Sequence, residues 1–551
     1  MNYPLHVFAF FLLVWIAFQF WVLREPEKER DSDNLSRLHQ RLTETVLLMN
    51  KVRADNAELD VQIEHLKLRI QQVKSTSDKI HMDTFNATLI VPSKEYELLR
   101  RRIHSNVKEF SYYVNSELES LDRKEKGTVR RIKEMKNMLV EHFRSLLKDI
   151  TDLADVDDHS TWREQESENL SRLIQNRLDD LQNPLDCSIA KQLVCNLNKV
   201  YGFSYKFHHL VYCFIVAYET QRMLVLTPMK YNNVWQKFFF TLNGTCPLVM
   251  NKSISQWTGN QTDQIVQLPI IDDVHPKPRL LPPVLPDDFA SRLNVLHGDP
   301  MVWWIGQFLK FIFLPQPTIS NIFDECAEKM KFQNPTVGVH VRRADKINKD
   351  AGFHALEEYM IHVEEYYKLK ELSGQIKKKR IYLATDEPNL FAEAKRKYPE
   401  YEIICNENIS KTAFKKYDLR KSLIDLIIDI HFLSLSDYLV CTFSSQVCRI
   451  AYALMNSLHP DASERYASLD DIYYFGGQSH RLNEAVLQHN SNRPQEIDLQ
   501  IGDQIFVDGN RWNGYSKGKN LRTHKTGLYP TFKAISKIES AIVHAYSNST
   551  A

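Results

Sequence analysis

The chain opens on a run of mostly hydrophobic positions. From Pro4 to Leu23 there is no Asp, Glu, Lys or Arg, and Phe, Leu and Trp are dense. A run of about 20 apolar residues is the length that carries a helix across a bilayer. No Lys or Arg precedes it, and bulky residues occupy the region where a leader would be cut. The pattern predicts a signal anchor over 4–23 behind a short tail at 1–3. A charged tether over 24–34 follows, and then a seven-residue repeat begins. Leu35, Leu42, Met49, Asn56, Ile63 and Ile70 take its a positions; Leu38, Thr45, Val52, Leu59, Leu66 and Val73 take its d positions. Ten of these twelve are apolar, which predicts a coiled coil over 35–75. Asn56 at an a position favours two parallel strands in fixed register. A homodimer of two chains anchored in one membrane is therefore expected, with an intramolecular hairpin against the later helices as the alternative.

His81 to Pro92 breaks the repeat. Helices are expected near 95–122 and 128–153, then a polar run from Asp155 to Glu168, then a helix over Leu170–Leu181, so that 24–180 forms a helical stem. A segment over 181–330 follows. In it Leu210–Ala217 and Met223–Thr227 read as buried strands, and Asp299–Pro315 as an aromatic-rich helix. From Val337 the pattern alternates. Strands at Val337–Val341, Ile381–Thr385, Tyr401–Ile404 and Asp437–Cys441 are separated by helices at Ala355–Leu372, Asn389–Tyr398 and Asp418–Leu435, and a helix at Val447–Leu458 closes the series. That alternation predicts a doubly wound, mostly parallel α/β sheet over 331–495. After Gln500 short strands and turns suggest a small β-barrel over 496–540, with a tail at 541–551.

Charge changes little of this picture. Lys+Arg (70) and Asp+Glu (69) nearly cancel, so no general attraction to nucleic acid is expected and any anion site is local. Two features place the bulk of the chain in the secretory lumen. N-x-S/T sequons occur at Asn34, Asn86, Asn169, Asn243, Asn251, Asn260, Asn408 and Asn548. All eight cysteines lie between residues 187 and 448, as in a disulfide-bearing luminal domain. Asp155-Val156-Asp157 has the form of a D-x-D metal motif, but it sits in an acidic helical context and reads as a solvated face.

The candidate chemistry lies at the end of the first alternating strand. Val337, Val339 and Val341 lead into Arg342, Arg343, Asp345, Lys346, Lys349 and Asp350, six charges in nine positions. Ligands of open α/β sheets sit beyond the carboxyl ends of the strands, and a guanidinium fork matches phosphate oxygens. A solvated, salt-bridged turn is the alternative. Ser444 and Ser445 stand between a later strand and its helix, where Ser445 is placed to cap a helix whose free N–H groups attract anions. The chain has no P-loop, no G-x-G-x-x-G and no zinc-like His/Cys spacing. An anion held by arginine and a helix end, without metal, fits a nucleotide-sugar transferase.

The segments H-V-R-R-A-D-K, F-H-A-L-E-E-Y-M-I-H-V-E-E-Y-Y, Y-L-A-T-D-E-P, D-I-H-F-L-S, C-T-F-S-S-Q-V-C-R-I-A-Y and H-P-D-A-S-E-R-Y-A-S-L-D-D-I-Y-Y-F-G-G-Q closely resemble the α1,6-fucosyltransferases of N-glycan core fucosylation, over about 181–537. The resemblance implies a GT-B-like glycosyltransferase with a Rossmann-type parallel sheet, an N-terminal membrane anchor and coiled-coil stem, and a C-terminal SH3-like β-barrel. It implies inverting, metal-independent transfer of L-fucose from GDP-β-L-fucose to O6 of the innermost Asn-linked GlcNAc, in the Golgi membrane as a single-pass type II protein. A glycan-binding pseudoenzyme of the same fold is the alternative.

Residue by residue, the resemblance implies a catalytic set of Asp350, Lys346 and Arg342. Asp350 stands where the family usually has Glu. The implied donor contacts are His340, Arg342, Arg343, Asp345, Asp429, Ser445, Gln446 and Tyr231. The implied acceptor contacts are Lys199, Asp272, Asp470, Asp471, Tyr474 and Gln478, with Arg511 where the family places a histidine towards the acceptor. Asp386 and Glu387 match a family motif of unassigned role. The resemblance also pairs Cys187 with Cys246, Cys195 with Cys213 and Cys441 with Cys448, and leaves Cys326 and Cys405 over.

Overall fold

The computed structural model describes residues 90–124, 129–197, 203–226, 246, 253–343, 352–374, 376–387, 389–405, 419–476, 481–491 and 493–546. The span expected at 4–23, the heptads of 35–75 and the sequons other than Asn169 and Asn260 lie outside these residues. Among the described residues no helix is long and apolar enough to cross a membrane.

Among the described residues three long helices come first: α1 (Lys94–Lys124), α2 (Val129–Val156) and α3 (Ser160–Gln182). α1 and α2 run antiparallel. Phe110 meets Phe143 edge-on with ring centroids 5.5 Å apart, and Glu119 pairs with Lys136 at 2.6 Å. Both helices are fastened to the α/β body. Arg101 donates to the Asn294 and Val295 carbonyls at 2.6 and 2.8 Å, and Arg144 holds Glu365 through two bonds of 2.7 Å. The solvated reading of Asp155–Asp157 does not survive for Asp157. Its carboxylate is 5% exposed and ion-pairs with Arg163, which also reaches the fully buried Glu97 at 2.6 Å. A buried carboxylate needs a cation or hydrogen-bond donors at hand, and here the cation stands on the next helix.

The N-terminal lobe contains β1 (Gln192–Cys195), α4 (Phe203–Thr220), β2 (Met223–Leu226), β3 (Ile254–Gln256), β4 (Ile265–Leu268), β5 (Val284–Pro286), α5 (Asp287–Leu296), α6 (Pro300–Ile312) and α7 (Pro317–Met330). Its sheet has the order β2-β1-β4-β3 with every pair parallel. Leu210–Ala217, expected as a strand, is the buried middle of α4. A short continuous apolar run carries no period that separates a buried strand from a buried helix. The Cys195–Cys213 disulfide ties this helix to β1, and Cys187–Cys246 closes a longer loop.

The second lobe contains β6 (Thr336–Val341), α8 (Leu356–Glu371), β7 (Lys379–Thr385), α9 (Asn389–Lys397), β8 (Tyr401–Ile404), α10 (Leu419–Leu435), β9 (Tyr438–Cys441), α11 (Gln446–Leu458) and β10 (Tyr466–Ser468). The sheet order is β10-β9-β6-β7-β8, again all parallel. Every residue of β6 is buried, as a central parallel strand covered on both faces requires. α6 joins the two lobes. Twelve of its thirteen residues are buried, the mark of a helix surrounded by core. At Gly306 an added Cβ would lie 2.2 Å from the Ala453 carbonyl oxygen, so only glycine lets α6 approach α11 this closely.

The C-terminal sheet is antiparallel, in the order β14 (Thr526–Pro530), β13 (Tyr515–Asn520), β12 (Gln504–Asn510), β11 (Leu482–Ala485), β15 (Ala534–Ser536). It starts at Leu482, earlier than the 496 expected, because β11 pairs with both β12 and β15. Residues 539–546 return to the body. β16 (Glu539–Ala541) adds to β5 in parallel, and Arg177 lies 3.9 Å from the centroid of the Tyr546 ring.

Candidate active site

Four neighbouring strands deliver their carboxyl ends to one rim: β10, β9, β6 and β7. β6 ends at Arg342 and Arg343, β7 at Asp386 and Glu387, β9 at the turn Thr442–Ser445, and β10 at Asp470 and Asp471. This is the edge of an open parallel sheet where ligands bind.

The two arginines part company. Nη1 of Arg342 meets Oδ2 of Asp386 at 3.0 Å, and its side chain stays one-third exposed. Arg343 is buried. Its Nη1 donates to Glu387 at 2.8 Å, its Nη2 to the His354 carbonyl at 2.8 Å, and its guanidinium carbon lies 4.6 Å from the centroid of the Phe353 ring. The sequence suggested a matched pair facing one anion. In the structure Arg343 binds the strand-end acids and the returning 352–355 segment, which leaves Arg342 as the guanidinium at the rim. Asp386 serves both, because its Oδ1 accepts the Arg343 backbone N–H at 2.9 Å.

The β9–α11 turn is held by Asp470. Oδ1 accepts from the Phe443 N–H at 2.7 Å, the Asp471 N–H at 2.6 Å and the Ser468 hydroxyl at 3.0 Å; Oδ2 accepts from the Ser444 N–H at 3.2 Å. Ser445 occupies the N-cap of α11 but makes no side-chain cap bond. Gln446 begins the helix, whose N-terminus carries partial positive charge towards the rim. His340 is buried in β6, two residues before Arg342.

Behind the turn, Arg449 fixes the following segment. Its Nη1 donates to the Tyr474 carbonyl at 3.2 Å, and its guanidinium carbon sits 3.8 Å from the Tyr474 ring centroid. One face of Tyr474 is thus covered by an arginine. Burial lowers the pKa of Arg449. The adjacent His208 is driven down to about 3, first by burial and then by Arg449, so it stays neutral. Asp471 accepts the Ile472 N–H at 2.8 Å, and burial followed by the neighbouring Asp470 charge raises its pKa. Arg449 was missed in the sequence. Its one visible signal is a lone charge inside the apolar run Val447–Leu454, which demands a partner when buried.

Asp429 stands on α10. It is buried and accepts the Tyr382 hydroxyl at 2.7 Å. Burial drives its pKa up to about 8, against the pull of that hydrogen bond. Asp272 stands in the 3-10 turn Ile271–Asp273. That turn comes up to the far end of the Asp470–Gly476 segment, with Ile271 Cδ1 3.8 Å from where a Gly476 Cβ would be. The C-terminal sheet reaches the rim too. The Trp512 indole N–H donates to the Asp470 carbonyl at 3.1 Å, beside Arg511. Lys199, Tyr231, Asp345, Lys346, Asp350 and Gln478 lie outside the described residues. Three disulfides are formed: Cys187–Cys246, Cys195–Cys213 and Cys441–Cys448. Cys326 and Cys405 take part in none.

Two parallel α/β lobes with a guanidinium and a helix N-terminus on one sheet edge define a class: enzymes that grip an anionic ligand there. The comparisons narrow it. The family model described as alpha-(1,6)-fucosyltransferase N- and catalytic domains matches residues 2–474. The alpha-(1,6)-fucosyltransferase of Drosophila melanogaster is 42% identical over 474 residues, covering 83% of this chain and 75% of the relative. That of Caenorhabditis elegans is 38% identical over 369 residues, covering 65% and 66%. A solved Arabidopsis thaliana FUT1 mutant in complex with GDP is 13% identical, with coverage of 54% of this chain and 77% of that one and a TM-score of 0.31. The chain belongs to the alpha-(1,6)-fucosyltransferase family, and it is a fucosyltransferase.

Proposed function

We propose that this chain carries out core fucosylation with GDP-β-L-fucose as donor, transferring L-fucose with inversion to O6 of the innermost Asn-linked GlcNAc and using no metal. The observation that carries the reading is Arg342, partly exposed at the carboxyl end of β6 and next to the β9–α11 turn on the neighbouring strand. A departing nucleoside diphosphate gathers negative charge, and preorganised donors aimed at that charge lower the barrier. In this reading Arg342 meets the β-phosphate while Asp386 keeps its guanidinium oriented. The N–H groups at the start of α11 and Ser445 supply further donors. Asp429 serves the nucleoside end.

The acceptor O6 attacks the anomeric carbon as the bond to the β-phosphate oxygen breaks, and GDP leaves with the electron pair. Asp350 takes the O6 proton and Lys346 orients that carboxylate, as family resemblance implies. Asp471, Tyr474 and Asp272 belong to the acceptor side. The GT-B-like arrangement of the two lobes and the SH3-like nature of the C-terminal sheet belong to the same proposal. So do the membrane anchor, the luminal Golgi setting and dimerisation through the 35–75 heptads.

The test uses detergent-solubilised full chain, GDP-fucose and a GlcNAc-terminated biantennary glycopeptide, with EDTA present. Product linkage is read by mass spectrometry. Arg342→Ala is expected to abolish transfer while glycopeptide binding persists. Strict dependence on manganese, or an active Arg342→Ala variant, would overturn the reading.

A further inference from the structure

We propose that Asn260 carries an N-linked oligosaccharide. The proposal rests on the luminal placement given under the proposed function. Asn260-Gln261-Thr262 has the N-x-S/T form of a glycan acceptor. It is one of two such sequons among the described residues; the other is Asn169-Leu170-Ser171. The fold presents the two very differently.

Asn260 opens the turn Asn260–Asp263 between β3 and β4. The Asp263 N–H donates to the Asn260 carbonyl at 3.1 Å, and the Asp263 carboxylate accepts the Asn260 N–H at 2.8 Å. Arg222 is buried and donates to the Asn260, Asp263 and Gln264 carbonyls at 3.2, 2.7 and 3.3 Å. Gly259 leads in at φ +67°, a conformation that suits glycine. The turn is therefore fixed through its backbone and the Asp263 side chain. None of these bonds uses the Asn260 amide or the Thr262 hydroxyl, and Asn260, Gln261 and Thr262 are all exposed.

Asn169 lies inside α3, where residues two apart point to different sides of the helix. Asn169 itself is exposed, but Leu170 and Ser171 are buried. The Ser171 hydroxyl donates to Gln307 Oε1 at 2.9 Å and accepts from Lys310 Nζ at 3.0 Å. A transferase that reads both the amide and the hydroxyl finds only the amide there, whereas the β3–β4 turn offers both. There is also room for the product. Among the described residues β3 is the edge strand of its sheet, and its Ile254 is 46% exposed. A bulky, solubilising glycan rooted on this turn extends into solvent and covers an edge otherwise open to pairing. In the transfer, Nδ2 of Asn260 bonds to C1 of the first GlcNAc of a lipid-linked oligosaccharide diphosphate. The bond from C1 to the phosphate oxygen breaks, the lipid diphosphate leaves with the electron pair, and the amide gives up one proton.

The experiment expresses the full chain in mammalian cells and exposes sealed microsomes to protease. The chain is then treated with peptide N-glycosidase in heavy-oxygen water, which turns each glycan-bearing Asn into labelled Asp, and its peptides are read by mass spectrometry. Label is expected at Asn260 in most molecules and at a lower level at Asn169. Asn260→Gln and Thr262→Ala should each raise gel mobility by the step of one glycan, while Thr262→Ser, which keeps a hydroxyl, should retain the glycan. An unlabelled Asn260 in protease-protected chain overturns the site and leaves the luminal placement standing. Chain that the protease digests and that bears no label overturns both. A labelled Asn260 that persists in Thr262→Ala refutes the part given to the hydroxyl, and with it the proposal.

Discussion

Asp470 was expected to meet the acceptor, yet its carboxylate is engaged by the turn expected to hold the donor. Asp470→Asn preserves shape and removes the charge. Hydrogen bonds to a charged acceptor contribute about 1.5–3 kcal/mol, and neutral ones about 0.5–1.5 kcal/mol. The three bonds on Oδ1, from Phe443, Asp471 and Ser468, survive in neutral form and each weaken by about 1 kcal/mol. The Ser444 N–H on Oδ2 then faces an amide NH₂ and loses its bond, for about 1.5–3 kcal/mol. The bonds share one acceptor and the turn relaxes, so the sum is an upper bound. A net loss of about 2–3 kcal/mol is expected, or roughly 30- to 150-fold in favour of an open turn. Calorimetric titration with GDP is the assay, with urea unfolding run in parallel. GDP affinity should fall by at least about tenfold, while binding of acceptor glycopeptide alone changes little. If Asp470→Asn binds GDP as tightly as the parent and loses only glycopeptide affinity, Asp470 is a direct acceptor contact and the clamp reasoning fails.

Three further outcomes follow from buried groups. Arg163→Met removes one cation from the fully buried Glu97, which keeps Arg100 at 3.0 Å, and the paired cation from the nearly buried Asp157, which keeps the Tyr96 hydroxyl at 3.1 Å; it should cost about 1.5–3 kcal/mol in urea unfolding, and a loss below about 1 kcal/mol would count against a structural role for that cluster. Asp429 has its pKa raised from 3.8 to about 8. Its contribution is therefore fully present below pH about 4 and is lost as pH rises through about 8. Unfolding measured from acid to mildly alkaline pH should show stability falling over that window, and Asp429→Asn should flatten the fall; parallel slopes would refute the assignment. Replacing both Cys187 and Cys246 by Ser opens a loop of 59 residues and should lower stability by about 4 kcal/mol on the chain-entropy account, read as a drop in denaturation midpoint, with a slope that rises as the unfolded chain expands.

Much of the second lobe was legible before any coordinates. The strands at Val337–Val341, Ile381–Thr385 and Tyr401–Ile404 appear within one or two residues of expectation, because a fully buried parallel strand needs a short apolar run between breakers. The rim was legible as well, since the carboxyl end of each strand is a place in the chain order. Leu210–Ala217 was misread because burial on every side erases the period that tells helix from strand. The partners of Asp157, Arg343 and Asp470 were not legible for another reason. Each depends on a partner that one-dimensional pattern does not supply: Arg163 on a later helix, Glu387 44 residues on, and the Ser444 backbone 26 residues back.

The order of elements, the parallel character of the second sheet and the acidic and basic residues on its rim are written in periodicity and chain order, since burial imposes a repeat on whichever residues it covers. Which guanidinium stays open to a ligand, which carboxylate becomes a clamp and which sequon keeps its hydroxyl in solvent were settled only on folding. An ion pair or a buried hydroxyl depends on the distance between side chains far apart in the chain, and no local repeat encodes that distance.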